Sequence, residues 1–386
     1  MSQAKKAASK DIILPGSTIG ILGGGQLGRM IILEGRKMGY RFVVLDPTPN
    51  SPAGQVADQQ LIASYSDLNA GEKLAALSDV ILYEFENVDA EVVRYLESQT
   101  SLPQGSWLLK VSQNRIREKN ALVEIGVPVA PYREVRSIAQ LHQAVETLGY
   151  PCILKTAMGG YDGRGQRIIR NKREIEAVGK EFLLHDEEYI LESYIPFTKE
   201  LSVIVARNGM GEIRSFPVAE NIHQRHILHH SIIPARIEPT VAKEAEKIAR
   251  KIAEEWEIVG LVAVEMFLLP SGELMVNEIA PRPHNSGHYT YDACKTSQFE
   301  QMIRAVCGLP LGSTELLAEA LMVNVLGEHL PMLIEKLPDL TSDIKLHLYG
   351  KEKAKEGRKM GHITLLTECV DEALIQIEQM NIWSLK

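Results

Sequence analysis

From Thr18 onward the chain alternates short apolar runs with helical periodicities. Thr18 to Leu22 and Tyr40 to Leu45 read as strands, with a helical pattern from Ile31 to Met38 between them, and Asp79 to Glu84 reads as another strand. Strands separated by helices build a parallel sheet. Gln113 to Lys119 opens a helix that ends at Gly126, with Pro128 just beyond. From Tyr150 the texture changes. Cys152 to Lys155, Arg167 to Ile169, Tyr189 to Ile195 and Lys199 to Val205 are short strands, and Ile213 to Ala219 pairs back as a hairpin partner, so a small antiparallel sheet is expected. Pro239 to Glu255 is an amphipathic helix with Val241, Ala245, Ile248 and Ile252 on one face. Leu261 to Leu269 and Leu274 to Ala280 flank a Pro-Ser-Gly-Glu turn and form a hairpin. A helix from Thr296 to Val306, strands Leu321 to Leu326 and Lys345 to Tyr349, and a helix from Ala373 to Ile382 complete the chain.

The hairpin carries the sharpest chemistry. Glu265 is a lone carboxylate in an apolar strand, and a buried carboxylate needs a partner or a metal. Asn277 and Glu278 close the opposite strand. Two carboxylates and an amide oxygen on adjacent strands form a hard-oxygen site suited to Mg²⁺ shared with phosphate oxygens. The loop that follows, Pro281 to His288, is dense in donors: Arg282, His284, Asn285 and His288.

Two glycine-rich segments stand upstream. Gly23-Gly24-Gly25-Gln26-Leu27-Gly28 leaves the first strand, and Asp46 ends the second, which matches the G-x-G-x-x-G pattern of a dinucleotide-binding unit. The same glycines suit any tight strand-to-helix turn that brings backbone N–H groups to an anion. Glu84 and Glu86 fall at the carboxyl edge of the sheet, where α/β proteins bind ligands. The second segment, Gly159 to Gly165, holds four glycines in seven residues between two strands, with Lys155 just before it. That is a flap able to fold its backbone over phosphate, and it lacks the G-K-[ST] of a Walker A loop. Arg115 and Lys119 sit in the first half of a helix, against the macrodipole preference, which hints at a role for one of them. The run His223 to His230 lacks a nearby cysteine and reads as a polar surface turn with one or two ligand-facing histidines rather than a zinc site.

Composition narrows the class. The chain has 386 residues, enough for two or three domains. Its net charge of −8 points to no polyanionic partner such as nucleic acid. No apolar run approaches the ~20 residues of a membrane span. The lysine-rich residues 1–17 read as a disordered lead-in. Cys152, Cys294, Cys307 and Cys369 are scattered, which suits free thiols in a reducing cytoplasm.

Taken in order, Lys155, Gly160-Tyr161-Asp162-Gly163-Arg164-Gly165-Gln166, Glu192-Ser193-Tyr194-Ile195, Glu265 and Asn277-Glu278 resemble the ATP-grasp superfamily. Gly23 to Met30, Pro281 to His288, and Tyr349-Gly350-Lys351 with Gly357 to His362 narrow the resemblance to the N5-carboxyaminoimidazole ribonucleotide synthases of purine biosynthesis. The resemblance covers nearly the whole chain after residue 17. It implies a mixed α/β and α+β architecture: a Rossmann-like (pre-ATP-grasp) domain over 18–114, an ATP-grasp domain over 115–306 with a flap subdomain near 127–205, and a small β-rich C-terminal domain over 307–386. It implies a homodimeric ligase that uses ATP and Mg²⁺ to carboxylate 5-aminoimidazole ribonucleotide with bicarbonate, through carboxyphosphate. By the family pattern, Arg115, Lys155, residues 160–166, Glu192 to Ile195, Glu200, His223, Asn277 and Glu278 contact ATP, with Glu200 on the ribose. Glu265 and Glu278 hold the metal. Gln26, Leu27, Tyr161, Asp162, Arg282, Asn285, Lys351 and Arg358 place the ribonucleotide, the last two on its phosphate, and Arg282 and His284 also lie near the bicarbonate or the carboxyphosphate. Two alternatives stay open: another ATP-grasp ligase, such as a formate-dependent glycinamide ribonucleotide transformylase, and an NAD-dependent dehydrogenase resting on Gly23 to Gly28 and Asp46.

Overall fold

The computed structural model describes residues 12–159, 165–182 and 187–383. The first sheet is parallel, with strands β1 (Thr18–Leu22), β2 (Arg41–Leu45), β3 (Gln59–Leu61) and β4 (Val80–Tyr83) in the order β3-β2-β1-β4. Its central strands are buried on both faces, which is why they read as unbroken apolar runs. The helix after β1 is Gln26–Lys37. It starts five residues before the expected Ile31, so Gln26 and Leu27 belong to its first turn and the glycine turn is correspondingly tight.

The second sheet is antiparallel, with β5 (Tyr132–Val135), β6 (Cys152–Thr156), β7 (Gln166–Ile169) and β8 (Tyr189–Ser193) in the order β5-β8-β6-β7. It carries its own apolar core around Val135, Leu141, Cys152, Leu154, Ile169 and Leu191. This sheet ends at Ser193, and the next strand, β9 (Lys199–Arg207), lies in the third sheet rather than in a flap unit reaching residue 205.

That third sheet has nine strands. Beyond β9 it contains β10 (Ile213–Ser215), β11 (Ala219–Gln224), β12 (Ile227–Ile233), β13 (Gly260–Leu268), β14 (Leu274–Ala280), β15 (Glu319–Leu326), β16 (Ile344–Leu348) and β17 (Lys359–Thr367). The order is β14-β13-β9-β11-β12-β15-β17-β16, with β10 beside β9. The C-terminal strands therefore extend the central sheet through the β12–β15 pairing. The segment Ile213 to Ala219 is two strands, both on β9, with Phe216, Pro217 and Val218 between them. The helix Pro239–Glu255 takes Pro at its first position and buries Ala245, Ile248, Ala249, Ile252 and Ala253 against β9 and β13, leaving Val241 at the margin.

The N-terminal sheet is fixed to this platform by the helix Gln26–Lys37, which packs on the helix Gln298–Val306. Gly35 permits the approach: a Cβ there would lie 2.9 Å from Ile303 Cδ1. The loop after β2 reaches the C-terminal segment, with Gln55 Nε2 donating to Gly350 O at 2.8 Å. Three domain-scale units thus converge on one seam.

Candidate active site

The β13–β14 hairpin forms the floor. Glu265 and Glu278 lie directly opposite each other in the register. The next pair is Met266 with Val276, so Asn277 is the extra residue of a β-bulge. A bulge re-aims a side chain that strict alternation would send to the other face. Asn277 and Glu278 are accordingly both partly exposed, while Val276 and Ile279 are buried. His284 Nε2 stands 3.0 Å from Glu265 Oε1, and Arg115 Nη1 stands 3.1 Å from Glu278 Oε2. Burial opposes the charge on Glu265, but the hydrogen bond and charge of His284, with the charges of His223 and Lys359, together outweigh it and hold the carboxyl below the usual range. Both carboxylates thus present hard oxygens side by side, and the donor set fits Mg²⁺.

A cationic wall rises beside this floor. Asn114 caps the helix Arg115–Glu124 by accepting from Ile116 and Arg117 N–H. That helix sends Lys119 inward, where it is 1% exposed. Its Nζ donates to Asn277 O at 3.3 Å and lies 3.7 Å from Glu192 Oε1. Lys155 donates to Glu192 Oε2 at 2.9 Å. Glu192 is therefore a buried counter-charge that aligns two lysines. Burial raises its carboxyl, and the two ammonium groups more than reverse that. Glu118 on the same helix is pushed up, first by burial and then by the charge of Glu278. The odd placement of cations early in this helix has its reason here: Lys119 is buried structure, and Arg115 faces the carboxylate floor. Further along β9 and β11, Glu200 pairs with His223 at 3.1 Å. Tyr194 is exposed, and Ser193 and Ile195 are half-buried at the end of β8.

The opposite wall comes from the N-terminal domain. Glu84 is buried and accepts Gly25 N–H at 2.7 Å; burial pushes its carboxyl up to about 7. Glu86 grips the Arg282 guanidinium through both oxygens, with Nη2 to Oε1 at 2.9 Å. Burial would raise Glu86, yet Arg282 brings it down to about 2. Lys351 donates to Lys359 O at 2.7 Å, over the Tyr349 ring, and burial followed by the nearby charge of Arg358 lowers it to about 8. Arg358 donates to Lys353 O at 2.9 Å. Asn285 is 8% exposed, and neither amide atom has a hydrogen-bond partner among the described residues. Buried amides rarely go unpaired, so both amide atoms of Asn285 are available to a ligand or a water.

The expected residues mostly converge. Arg115, Lys155, Glu192, Asn277, Glu278, Glu265, Arg282 and His284 line one continuous charged seam, with Gln26, Lys351 and Arg358 at its N-terminal and C-terminal rims. Leu27 is different: it is 6% exposed in the apolar core, so only its backbone can face a ligand. Gly160, Tyr161, Asp162, Gly163 and Arg164 lie outside the described residues, while Gly165 and Gln166 lead into β7. The histidine run is no simple surface turn. His223 and His229 sit on β11 and β12, and only Arg225 and His226 form the tip, both with positive φ. His229 is the bulged residue of that hairpin and is buried. The burial of Lys119, the part played by Glu118 and the pairing of Glu86 with Arg282 were not read from the sequence, which only hinted at a role for Lys119 and treated Glu86 and Arg282 separately. A charged triad inside one helix, Arg115-Glu118-Lys119, was the available signal for the first two.

This assembly, a Rossmann-like unit, a flap sheet and a β platform with paired carboxylates, defines an ATP-grasp ligase. The comparisons agree. An ATP-grasp domain model matches residues 120–299, a ribonucleotide synthetase preATP-grasp domain model residues 16–113, and a phosphoribosylaminoimidazole carboxylase C-terminal domain model residues 320–376. The N5-carboxyaminoimidazole ribonucleotide synthase of Bacillus subtilis (strain 168) is 52% identical over 96% of this chain and 96% of its own, and that of Staphylococcus aureus (strain COL) is 43% identical over 92% and 94%. A crystal structure of an N5-carboxyaminoimidazole ribonucleotide synthetase complexed with ADP superposes with a TM-score of 0.94 at 52% identity, covering 97% of this chain and 99% of that one. An Aspergillus clavatus N5-carboxyaminoimidazole synthase, in complex with ADP and 5-aminoimidazole ribonucleotide, gives 0.87 at 32% identity over 94% and 97%. The chain belongs to the N5-carboxyaminoimidazole ribonucleotide synthase family.

Proposed function

We propose that the protein carboxylates the exocyclic amine of 5-aminoimidazole ribonucleotide, consuming ATP and bicarbonate and releasing ADP and phosphate, as a step of purine synthesis. A bicarbonate oxygen attacks the γ-phosphorus of ATP and ADP departs, leaving carboxyphosphate. The amine then attacks the carboxyl carbon, phosphate leaves, and the nitrogen gives up one proton. Phosphoryl transfer asks for positioning and charge neutralisation more than covalent help from the protein. Lys155 and Arg115 on one side, and Arg282 on the other, supply fixed positive charge, each aligned by a carboxylate. Mg²⁺, when bound by Glu265 and Glu278, neutralises phosphate charge during transfer. Glu200 and His223 are assigned to the nucleotide, and Lys351 and Arg358 to the phosphate of the ribonucleotide. Carboxyphosphate hydrolyses in water, so the reading requires that water be kept from the seam; most of the glycine-rich segment expected to do so, residues 160–164, lies outside the described residues.

The observation that carries this reading is the Glu86–Arg282 clamp. It joins the N-terminal domain to the loop directly after the β13–β14 hairpin, which supports a reading in which the acceptor is held beside the phosphoryl-transfer site. We further assign domains near 18–114, 115–306 and 307–386, a homodimer, and a cytoplasmic location. The four free cysteines, three of them buried, suit a reducing compartment. ADP release from ATP and bicarbonate tests the function. Strong stimulation by 5-aminoimidazole ribonucleotide is expected; stimulation by formate with glycinamide ribonucleotide instead would transfer the activity to the transformylase reading.

A further inference from the structure

His284 is an unusual residue in that both of its ring nitrogens are specified. Its Nδ1 caps the short 3₁₀ turn Asn285–Gly287 by accepting Ser286 N–H at 3.3 Å. The Ser286 hydroxyl lies 2.8 Å from the same nitrogen. A backbone N–H can only donate, so Nδ1 carries a lone pair and the Ser286 hydroxyl must donate to it as well. The ring proton is then on Nε2, aimed at Glu265 Oε1 at 3.0 Å.

The donor sense continues behind the loop. Ser286 Oγ accepts from Ser202 Oγ at 2.7 Å, Ser202 Oγ accepts from Asn221 Nδ2 at 2.9 Å, and Asn221 Oδ1 accepts from Ser231 Oγ at 2.7 Å. Ser286, Ser202, Asn221 and Ser231 are each no more than 4% exposed. Ser286 belongs to the short 3₁₀ turn, and Ser202, Asn221 and Ser231 come from β9, β11 and β12, three neighbouring strands of the large sheet. A buried chain with every link satisfied is rigid, and one reversed link would leave two donors or two acceptors facing each other.

We propose that Ser286, backed by Ser202, Asn221 and Ser231, is a positioning residue that locks His284 as the Nε2–H tautomer and so makes it a hydrogen-bond donor toward the reacting oxygens. This rests on the function proposed above and deepens it. A ring whose only free lone pair is buried against two donors does not act as the base that takes the amine proton. Its Nε2–H, which here points at Glu265, is suited to being shared with an oxygen of bicarbonate or of the carboxyl group under attack, where negative charge builds. Partners that orient a site histidine typically matter on the order of 10–100-fold in activity.

The test combines spectroscopy with kinetics. Protein labelled with ¹⁵N in its imidazoles is examined by long-range ¹H–¹⁵N correlation, with the His284 signals assigned by their loss in His284→Gln. The expected pattern for the wild type is a protonated Nε2 and a bare Nδ1. Ser286→Ala should shift the ring toward a tautomer mixture and lower kcat on the order of 10-fold, with KM for ATP within about 2-fold. Ser202→Ala, one link further back, should give the same change in smaller degree, and it keeps the test open should Ser286→Ala fold poorly. A wild-type ring protonated on Nδ1, or both variants keeping wild-type tautomer and kcat, would overturn the proposal. The spectrum needs no substrate, so a correct tautomer with no response to 5-aminoimidazole ribonucleotide would count against the acceptor and not against the lock.

Discussion

Replacing Glu192 by Gln removes the one carboxylate between two inward-facing ammonium groups. Lys119 and Glu192 are 1% and 3% exposed, so solvent screens little of their interaction. At their 3.7 Å separation the Coulomb energy is about 4 kcal/mol at an effective dielectric constant of about 20. Lys155 is more exposed and can turn outward, so most of the loss falls on Lys119. Gln retains an oxygen for one ammonium, which returns part of the energy. Breaking one side of a buried pair generally costs about 3–5 kcal/mol, and a loss of about 3 kcal/mol at pH 7 is expected. The pH dependence has a definite sign. Burial, and then the charge of Lys155, already lowers the proton affinity of Lys119. Without Glu192 it falls further, so the unfolded chain binds more protons than the folded one over a wider alkaline range. Stability then rises with pH in that range, and the deficit of the variant should shrink between pH 7 and pH 9. Urea unfolding followed by circular dichroism at both pH values measures it. A deficit below about 1 kcal/mol at pH 7, or one unchanged at pH 9, would refute the picture of Glu192 as the counter-charge of a buried lysine.

Glu278→Gln should reduce ADP formation on the order of 100-fold or more while leaving the circular dichroism spectrum unchanged, and normal turnover would remove Glu278 from the metal site. Lys351→Ala and Arg358→Ala should each raise KM for the ribonucleotide about 10-fold, the worth of one charged hydrogen bond, with KM for ATP little changed; equal effects on both substrates would move them away from the acceptor phosphate. Lys351 is lowered to about 8, chiefly by burial, so it loses its proton as pH rises through that value and kcat/KM for the ribonucleotide should fall above it; a profile flat to pH 9 would show that Lys351 is not the phosphate cation. ATP with Mg²⁺ should raise the melting temperature and NADH should not, and the reverse would restore the dehydrogenase reading.

What was legible in the sequence was what is local. The hairpin of Glu265 and Glu278 could be read because a single carboxylate interrupts an apolar strand, and the register puts the two residues opposite each other. The helix Pro239–Glu255 was legible from its stripe and its proline. The bulge at Asn277 was not, because alternation is the only strand signal and a bulge violates it. The Glu86–Arg282 clamp joins residues 196 positions apart, and no spacing rule reaches that far. The start of the helix Gln26–Lys37 was missed because glycines signal a turn, whereas here the last of them, Gly28, is already helical. The flap unit was drawn through residue 205 because strands β8 and β9 are separated by only a few residues, although they serve different sheets.

The glycine turn after β1 shows how a dinucleotide pattern serves another end. In a dinucleotide site the turn's N–H groups face pyrophosphate and the acid after the second strand takes a ribose. Here the N–H groups of Gly24 and Gly25 donate to carboxylates of the protein itself, Asp46 and Glu84, at 2.7 Å each. Asp46 also accepts from Thr48 N–H at 2.7 Å and from the Tyr65 hydroxyl, and it is 6% exposed. Its lone pairs are committed inward, and a ribose could reach them only by breaking buried bonds. A pyrophosphate would meet two carboxylates where it needs donors. Gly24 is required for closeness: a Cβ there would lie 2.6 Å from the Asp46 side chain. The glycines thus draw the turn onto Asp46 and Glu84, the second of which shares its field with Arg282 and Lys351. The same fingerprint that suggests a cofactor in the sequence builds, in the fold, an acidic rim that faces the Arg282 and Lys351 cations.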